Sequence, residues 1–208
     1  MTTDKQYTNK GLLENYLGGD ITISNDDAVQ FILATQKFID KYTDRNFKAD
    51  ETASIRYFDG NDRPALIIDD CISVSKVEVG TNYYGDSFTE QTNAEGAILE
   101  YYLLPTNYVS EGRPIRKIGL RNRIWIKGVG NHRITAKWGY SENVPDDIIY
   151  AATVIASGMY YQNRGENSGA IKSEKIGDTY SVTYADGGGF DDLSKAMEIL
   201  DSYKRILL

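Results

Sequence analysis

The chain has 208 residues, 41% of them apolar, and a net charge of −7, so it is long enough for a substantial core and too acidic overall for wrapping nucleic acid to be its main task. Its single Cys excludes an internal disulfide framework and any Cys-based zinc cluster, and its single His excludes a cage of histidines. Met1 to Gln6 lacks the apolar core of a secretory signal and no apolar run is long enough to cross a bilayer, so a soluble, cytoplasmically made protein is expected.

Thr8 to Leu17 reads as a short helix stopped by Gly18-Gly19. A second helix starts near Ser24-Asn25-Asp26-Asp27, whose side chains can cap free N–H groups. Val29, Ile32, Leu33, Ile39 and Tyr42 would form its apolar face, and the pattern fades by Phe47. From Ile55 the period becomes two. Strands are expected over Ile55 to Asp59 and Ala65 to Ile68, then through Ile72 and Val74. Val77 and Val79 are out of phase with those two, which predicts a bulge at Ser75-Lys76. Thr81 to Glu95 is polar, turn-rich and dotted with Tyr83, Tyr84 and Phe88. Further strands are expected at Ile98 to Leu104, Ile115 to Leu120, Arg121 to Lys127 and Arg133 to Trp138.

At Trp138-Gly139-Tyr140 the chain changes character. Pro145 suits a first helical turn, and Asp146 and Asp147 place negative charge at the favoured end of the helix dipole. Ile148, Ala152, Ile155 and Met159 then share one face. Asn163 to Gly169 is a polar loop, Ile171 to Tyr184 has strand character, and Gly187 to Gly189 form a joint. Asp191-Asp192 open a last helix whose stripe is Leu193, Ala196, Met197, Leu200, Tyr203 and Leu207.

The order helices, strands, helices predicts an α+β protein: a small helical bundle built from both chain ends, an inserted antiparallel β sandwich or barrel-like region, and an extended β arm. The helical domain would comprise 1–50 and 141–208, with the arm at about 170–186, and the β-rich insert 51–140.

No catalytic constellation emerges. Cys71 reads as a packed thiol, Asp69-Asp70 as a strand-end turn, and His132, in a Gly-Asn-His-Arg turn, as a surface histidine. Asp26-Asp27 reads as a helix start, with no third ligand at metal spacing. Gly128-Val129-Gly130 lacks the third glycine and the following helix of a dinucleotide fingerprint. No enzyme activity, metal or cofactor is expected.

Charge is the uneven feature. Arg113, Arg116, Lys117, Arg121, Arg123, Lys127, Arg133 and Lys137 lie in one stretch without a single Asp or Glu, leaving 15 basic against 30 acidic residues elsewhere. Strand alternation would put Arg121, Arg123, Trp125 and Lys127 on one face and Ile124 and Ile126 on the other. Arg133, Thr135 and Lys137 would likewise oppose Ile134, Ala136 and Trp138. Such a strip suits a solvated sheet face, an acidic neighbour such as a second copy of this chain, or phosphate.

Taken together, Tyr42 to Phe47 ending a helix, Tyr57-Phe58-Asp59-Gly60-Asn61 opening the strands, Trp138 to Ile148, Ser173 to Tyr184 and Ile199 to Arg205 resemble the head–tail connector (adaptor, or head-completion) proteins of tailed phages, in the form with a β-rich insert. Tyr83 to Asn107 is longer and richer in Tyr than that pattern. The resemblance implies a non-enzymatic virion protein at the head–tail interface, assembled in the host cytoplasm. It implies a homo-oligomeric ring, commonly dodecameric, that docks beneath the portal, meets the next tail or stopper protein, and extends a channel through which DNA passes unread.

In that setting Ile176, Tyr180, Val182 and Tyr184 would belong to an arm contacting the neighbouring subunit. Arg116, Arg121, Arg123, Lys127, Arg133 and Lys137 would form a basic contact strip, and Tyr203, Lys204, Arg205, Ile206, Leu207 and Leu208 a docking peg for portal or tail. The rival expectation is a β-rich module binding carbohydrate or another polymer, with Tyr83, Tyr84, Tyr101, Tyr102 and Trp125 as stacking platforms.

Overall fold

The computed structural model describes residues 6–91, 100–164, 172–176, 180–184 and 189–205, with side chains over 6–91, 100–163 and 192–205. It divides into two units, Met1–Arg45 with Val144–Leu208, and Asn46–Asn143. The first is helical apart from one hairpin; the second holds an antiparallel sheet.

The helical unit is built around α3 (Asp146–Arg164). Every residue from Ala151 to Tyr160 is buried, so this helix is covered on all sides rather than along one stripe. Ala151, Ala152, Ala156 and Gly158 are small enough to let neighbours approach closely. Those neighbours are α1 (Lys10–Tyr16), α2 (Asn25–Thr43) and α4 (Gly189–Tyr203). Polar side chains in this core are satisfied locally. Thr8 Oγ1 and Thr153 Oγ1 lie 2.7 Å apart, and Ser157 donates to the Val154 carbonyl at 2.7 Å.

Helix α2 starts as the sequence predicts, with the Ser24 hydroxyl accepting the Asp27 N–H at 3.1 Å. It ends at Asp44, which takes the left-handed conformation (φ 53°). Its buried stripe is Ala28, Phe31, Ile32, Thr35 and Ile39, rotated from the predicted face, and Val29 is exposed. The C-terminal end of α4 is tied to that of α2. Arg205 N–H donates to the Thr43 carbonyl at 3.0 Å and Tyr42 to Asp201 at 2.6 Å.

The stretch read as a single extended arm is a hairpin. Strands β7 (Lys172–Ile176) and β8 (Tyr180–Tyr184) pair antiparallel, with Ile176 opposite Tyr180, Glu174 opposite Val182 and Lys172 opposite Tyr184. They form a two-stranded sheet of their own.

The second unit contains β1 (Ser54–Phe58), β2 (Ala65–Gly80), β3 (Phe88–Gln91), β4 (Tyr101–Leu104), β5 (Ile115–Leu120) and β6 (His132–Trp138). They form one antiparallel sheet in the order β1-β6-β2-β5-β4, with β3 added on β2, and not a closed barrel. The long β2 pairs first with β5 and then with β6, and its register slips between Ile67 and Cys71, Cys71 and Ser73, and Val74 and Lys76. Each slip bends the strand and lets it turn from one partner to the next. Ile68, Val77, Ile115, Ile118, Trp125, Ile134, Ala136 and Trp138 fill the core.

Two predictions about this sheet fail. Arg121 to Lys127 is not a strand; its only ladder contact is an isolated bridge from Trp125 to Arg63. Asn122 has φ 55°, which breaks the extended run at its second residue. Asp69 and Asp70 lie within β2 rather than in a strand-end turn.

The two ends of the unit run side by side. Ala49 N–H donates to the Ser141 carbonyl at 2.9 Å, Asp50 to Trp138 at 2.7 Å, and Tyr140 to Asn46 at 2.8 Å. Gly139 (φ 134°) permits this approach, since a Cβ there would sit 2.4 Å from the Ala49 Cα.

Candidate functional site

The basic strip does not form one face. On β6 the expected alternation holds: Ile134, Ala136 and Trp138 are buried, and Arg133, Thr135 and Lys137 are half-exposed. Arg133, however, is engaged internally. Its guanidinium donates to Glu78 Oε1 at 2.6 Å and lies 3.9 Å from the centre of the Phe88 ring. Lys76 approaches the same Glu78 at 3.1 Å and Glu90 at 3.3 Å. Burial alone would raise the Glu78 pKa, but hydrogen bonds from Lys76 and Arg133 outweigh it and hold the carboxyl below its ordinary value.

Arg121, Arg123 and Lys127 stand exposed on the segment after β5. Arg123 reaches Gln91 Oε1 at 3.4 Å. Between these cations the predicted facing is inverted. Trp125 is fully buried, its indole N–H donating to the Ile118 carbonyl at 3.0 Å, while Ile124 and Ile126 are 48% and 43% exposed. The two isoleucines border a depression of about 390 Å³ shared with Val79, Gly80 and Thr89. Arg116 is half-exposed on β5 and Lys117 is exposed.

The surface-histidine expectation for His132 is overturned. The ring is fully buried at the start of β6, edge-on to Trp125 with centroids 4.9 Å apart. Burial lowers its pKa against the opposing pull of the Ile126 carbonyl, so the ring is neutral. The signal was present: His132 shares the even-numbered phase of Ile134, Ala136 and Trp138.

The other candidates for chemistry are structural. Cys71 is buried beside Ile115, and burial, reinforced by Asp70 and Asp69, pushes its thiol up to about 12. Such a thiol is protonated at neutral pH and a poor nucleophile. Asp69 accepts from Arg56 at 2.6 Å. Among the described residues no three His, Cys, Asp or Glu side chains are placed to hold a metal ion.

The polymer-binding alternative required a row of exposed aromatics. Trp125 and Tyr101 are buried, and Tyr83 and Tyr84 pack edge-on to each other at 5.0 Å, so no shared stacking platform forms. Tyr102 is 38% exposed and lies over Gly119, the residue opposite it on β5.

Of the proposed docking residues, Tyr203 donates to Asp147 Oδ2 at 2.9 Å, and Lys204 pairs with Asp201 at 2.8 Å while lying 3.9 Å from the Tyr42 ring centre. Arg205 joins α2 through its backbone, as above. Ile206, Leu207 and Leu208 lie outside the described residues. Ile176, Tyr180, Val182 and Tyr184 are distributed over the two strands of the hairpin.

Within the six-stranded sheet the most exposed strand is β1, at one end, where Ser54, Ile55, Arg56 and Tyr57 are all exposed. Sequence reading places this strand correctly but carries no signal that it is an edge.

No protein family's sequence profile and no curated protein sequence matches this chain. Among solved structures, the chain is similar to one in the neck of an empty GTA particle computed with C6 symmetry. The TM-score is 0.55 at 11% identity, over 94% of this chain and 88% of that one. A chain in the neck of the native GTA particle, computed with C12 symmetry, gives a TM-score of 0.47 at 9% identity, over 94% and 87%. At such identity the first likeness is one of fold.

Proposed function

We propose that the protein is a structural component of a phage-like particle, a head–tail connector that assembles into a ring between portal and tail and extends the DNA channel. The carrying observation is that the likeness to a neck protein's fold spans 94% of this chain and 88% of the other, the β insert included, rather than a single motif. The described residues contain no metal cluster and no helix long and apolar enough to cross a membrane.

In this reading the protein is not an enzyme, its partners are copies of itself, the portal protein and the next tail or stopper protein, and it resides in the virion. Six- or twelvefold rings arise when one surface meets a different surface on the next copy and the rotation closes. The exposed cations Arg121 and Lys127, on the segment after β5, face an acidic neighbour. The β7–β8 hairpin reaches an adjacent subunit, and Tyr203 to Leu208 form the docking end. DNA crosses the ring without sequence recognition, past a chain whose net charge is negative.

Electron microscopy of the purified protein, alone and mixed with its portal, tests this. Closed rings that cap the portal are expected; a monomer that ignores the portal under all conditions overturns the reading.

A further inference from the structure

The open edge of β1 is an unusual surface. Among the described residues, strand β1 pairs only with β6 and leaves its other edge unpaired. Sheet edges in isolated proteins are normally blunted by charge, proline or a covering loop. Here the outward alternate positions are Ile55 and Tyr57, 52% and 60% exposed. Arg56, the one charged residue of the strand, is held on the opposite face, bonded to Asp69 and 4.6 Å from the Trp138 ring centre.

The face beside this edge is already fixed. Tyr57 sits edge-on to Phe88 with centroids 6.4 Å apart, Arg133 lies over the other ring, and Glu78 holds Arg133. Tyr, Arg and Phe in a fixed array, with a free backbone ladder alongside, have the make-up of a binding hot spot.

Among the described residues there is also a strand short of a partner. The β7–β8 hairpin is a separate two-stranded sheet, a structure marginal in water until a third strand joins it. Its two strands differ at their edges. β7 carries Lys172, Glu174 and Lys175, the charges that protect an edge, whereas β8 reads Tyr-Ser-Val-Thr-Tyr with no charge at all. β8 and β1 are both five residues long; β8 alternates apolar with polar positions throughout, and β1 does so from Ser54 to Tyr57.

We infer that β8 of one copy adds to the β1 edge of the next, making a continuous sheet across the subunit contact with Ile55 and Tyr57 as its anchors. Because donor strand and acceptor edge are different surfaces, the contact is head-to-tail and repeats around a ring. This rests on the ring reading above and assigns the surface that receives the hairpin.

The test places a photo-crosslinking benzophenone side chain at Tyr57 and irradiates assembled rings, mapping the product by mass spectrometry. The expected product joins residue 57 to 180–184 of a second copy. Rings that crosslink elsewhere, including β1 to β1, or not at all, overturn the inference and leave the ring reading intact. A wild-type protein that forms no ring, alone or with its portal, overturns both. A second variant, Ile55→Lys, at an exposed position outside the Tyr57–Phe88–Arg133 array, should melt like the wild type and lose ring formation at least tenfold; undiminished rings overturn the inference.

Discussion

Nδ1 of His132 accepts the backbone N–H of Gly80 at 3.3 Å, which leaves Nε2 as the donor to the Ile126 carbonyl at 3.0 Å. One neutral ring thus joins the end of β2 to the segment preceding β6. Asn131 completes the node, accepting from Gly60 N–H at 3.0 Å and donating to the Ile126 carbonyl at 2.8 Å.

Stability should therefore depend on pH in two windows. The folded pKa of His132 lies below its ordinary 6.5, so the unfolded chain binds the extra proton first and stability falls as pH drops below 6.5. Glu78 is held below its ordinary 4.5, so its contribution is present above that value and is lost as pH falls through the folded value. Denaturant midpoints at pH 7.5, 6.5 and 5.5 should decline for the wild type. His132→Gln should be less stable at pH 7.5 but nearly flat across the series. A flat wild-type series would show that the ring is not held neutral.

Glycine substitutions should separate rigid from yielding contacts. A Cβ on Gly60 would lie 1.7 Å from the Ile126 carbonyl oxygen, which is backbone and cannot step aside. Gly60→Ala should cost about 3 kcal/mol or more, the upper range of overpacking. On Gly119 the obstacle is the ring of half-exposed Tyr102, 2.1 Å away. Gly119→Ala should swing that ring outward for about 1 kcal/mol. Equal costs in thermal melts would contradict this distinction.

The cations should divide by role. Arg121→Glu with Lys127→Glu should leave the melting temperature within ordinary surface variation and impair assembly, more so at low salt, where exposed charges act over longer distances. Arg133→Glu should lower the melting temperature, because it sets two carboxylates against each other at Glu78. Assembly unaffected by the double reversal would reduce the strip to a solvated surface.

Trp125→Ala should cost about 3–5 kcal/mol, as expected for emptying a fully buried site. Tyr84→Ala, at an exposed position, should stay within about 0.5 kcal/mol. The reverse order in chemical unfolding would return Trp125 to the surface.

Hydrogen exchange should report the hairpin. Amides of 172–176 and 180–184 should exchange rapidly in the monomer, since two strands alone are marginal, and slowly in the ring. Equal protection in both states would remove the hairpin from the subunit contact.

Much of the fold was legible because local chemistry and tertiary environment agree. Pro145 and the Asp pair start α3, Ser24 caps α2, and the phase break at Ser75-Lys76 coincides with a real slip in β2. The segment from Arg121 to Lys127 was not legible. Its alternation of Arg, Ile and Trp fits a strand, but the burial of Trp125 against Ile118 decides the facing, and that contact is invisible to periodicity. β3 was missed because four residues in a polar, Tyr-rich stretch offer no pattern. Of the candidate site, the cation cluster was visible as composition; that Glu78 removes Arg133 from it was not, since the two are 55 positions apart and meet only across paired strands.

The zippered stem formed by 46–50 and 138–141 makes the sheet unit a cassette. Its incoming and outgoing chains are bonded to each other before either reaches the helices, so a long insertion is closed at its base and costs the host fold little loop entropy. Asn46–Asn143 expressed alone should therefore melt cooperatively. A short Gly-Ser bridge in its place should leave a helical remainder that folds, and other sheets could be grafted at the same stem.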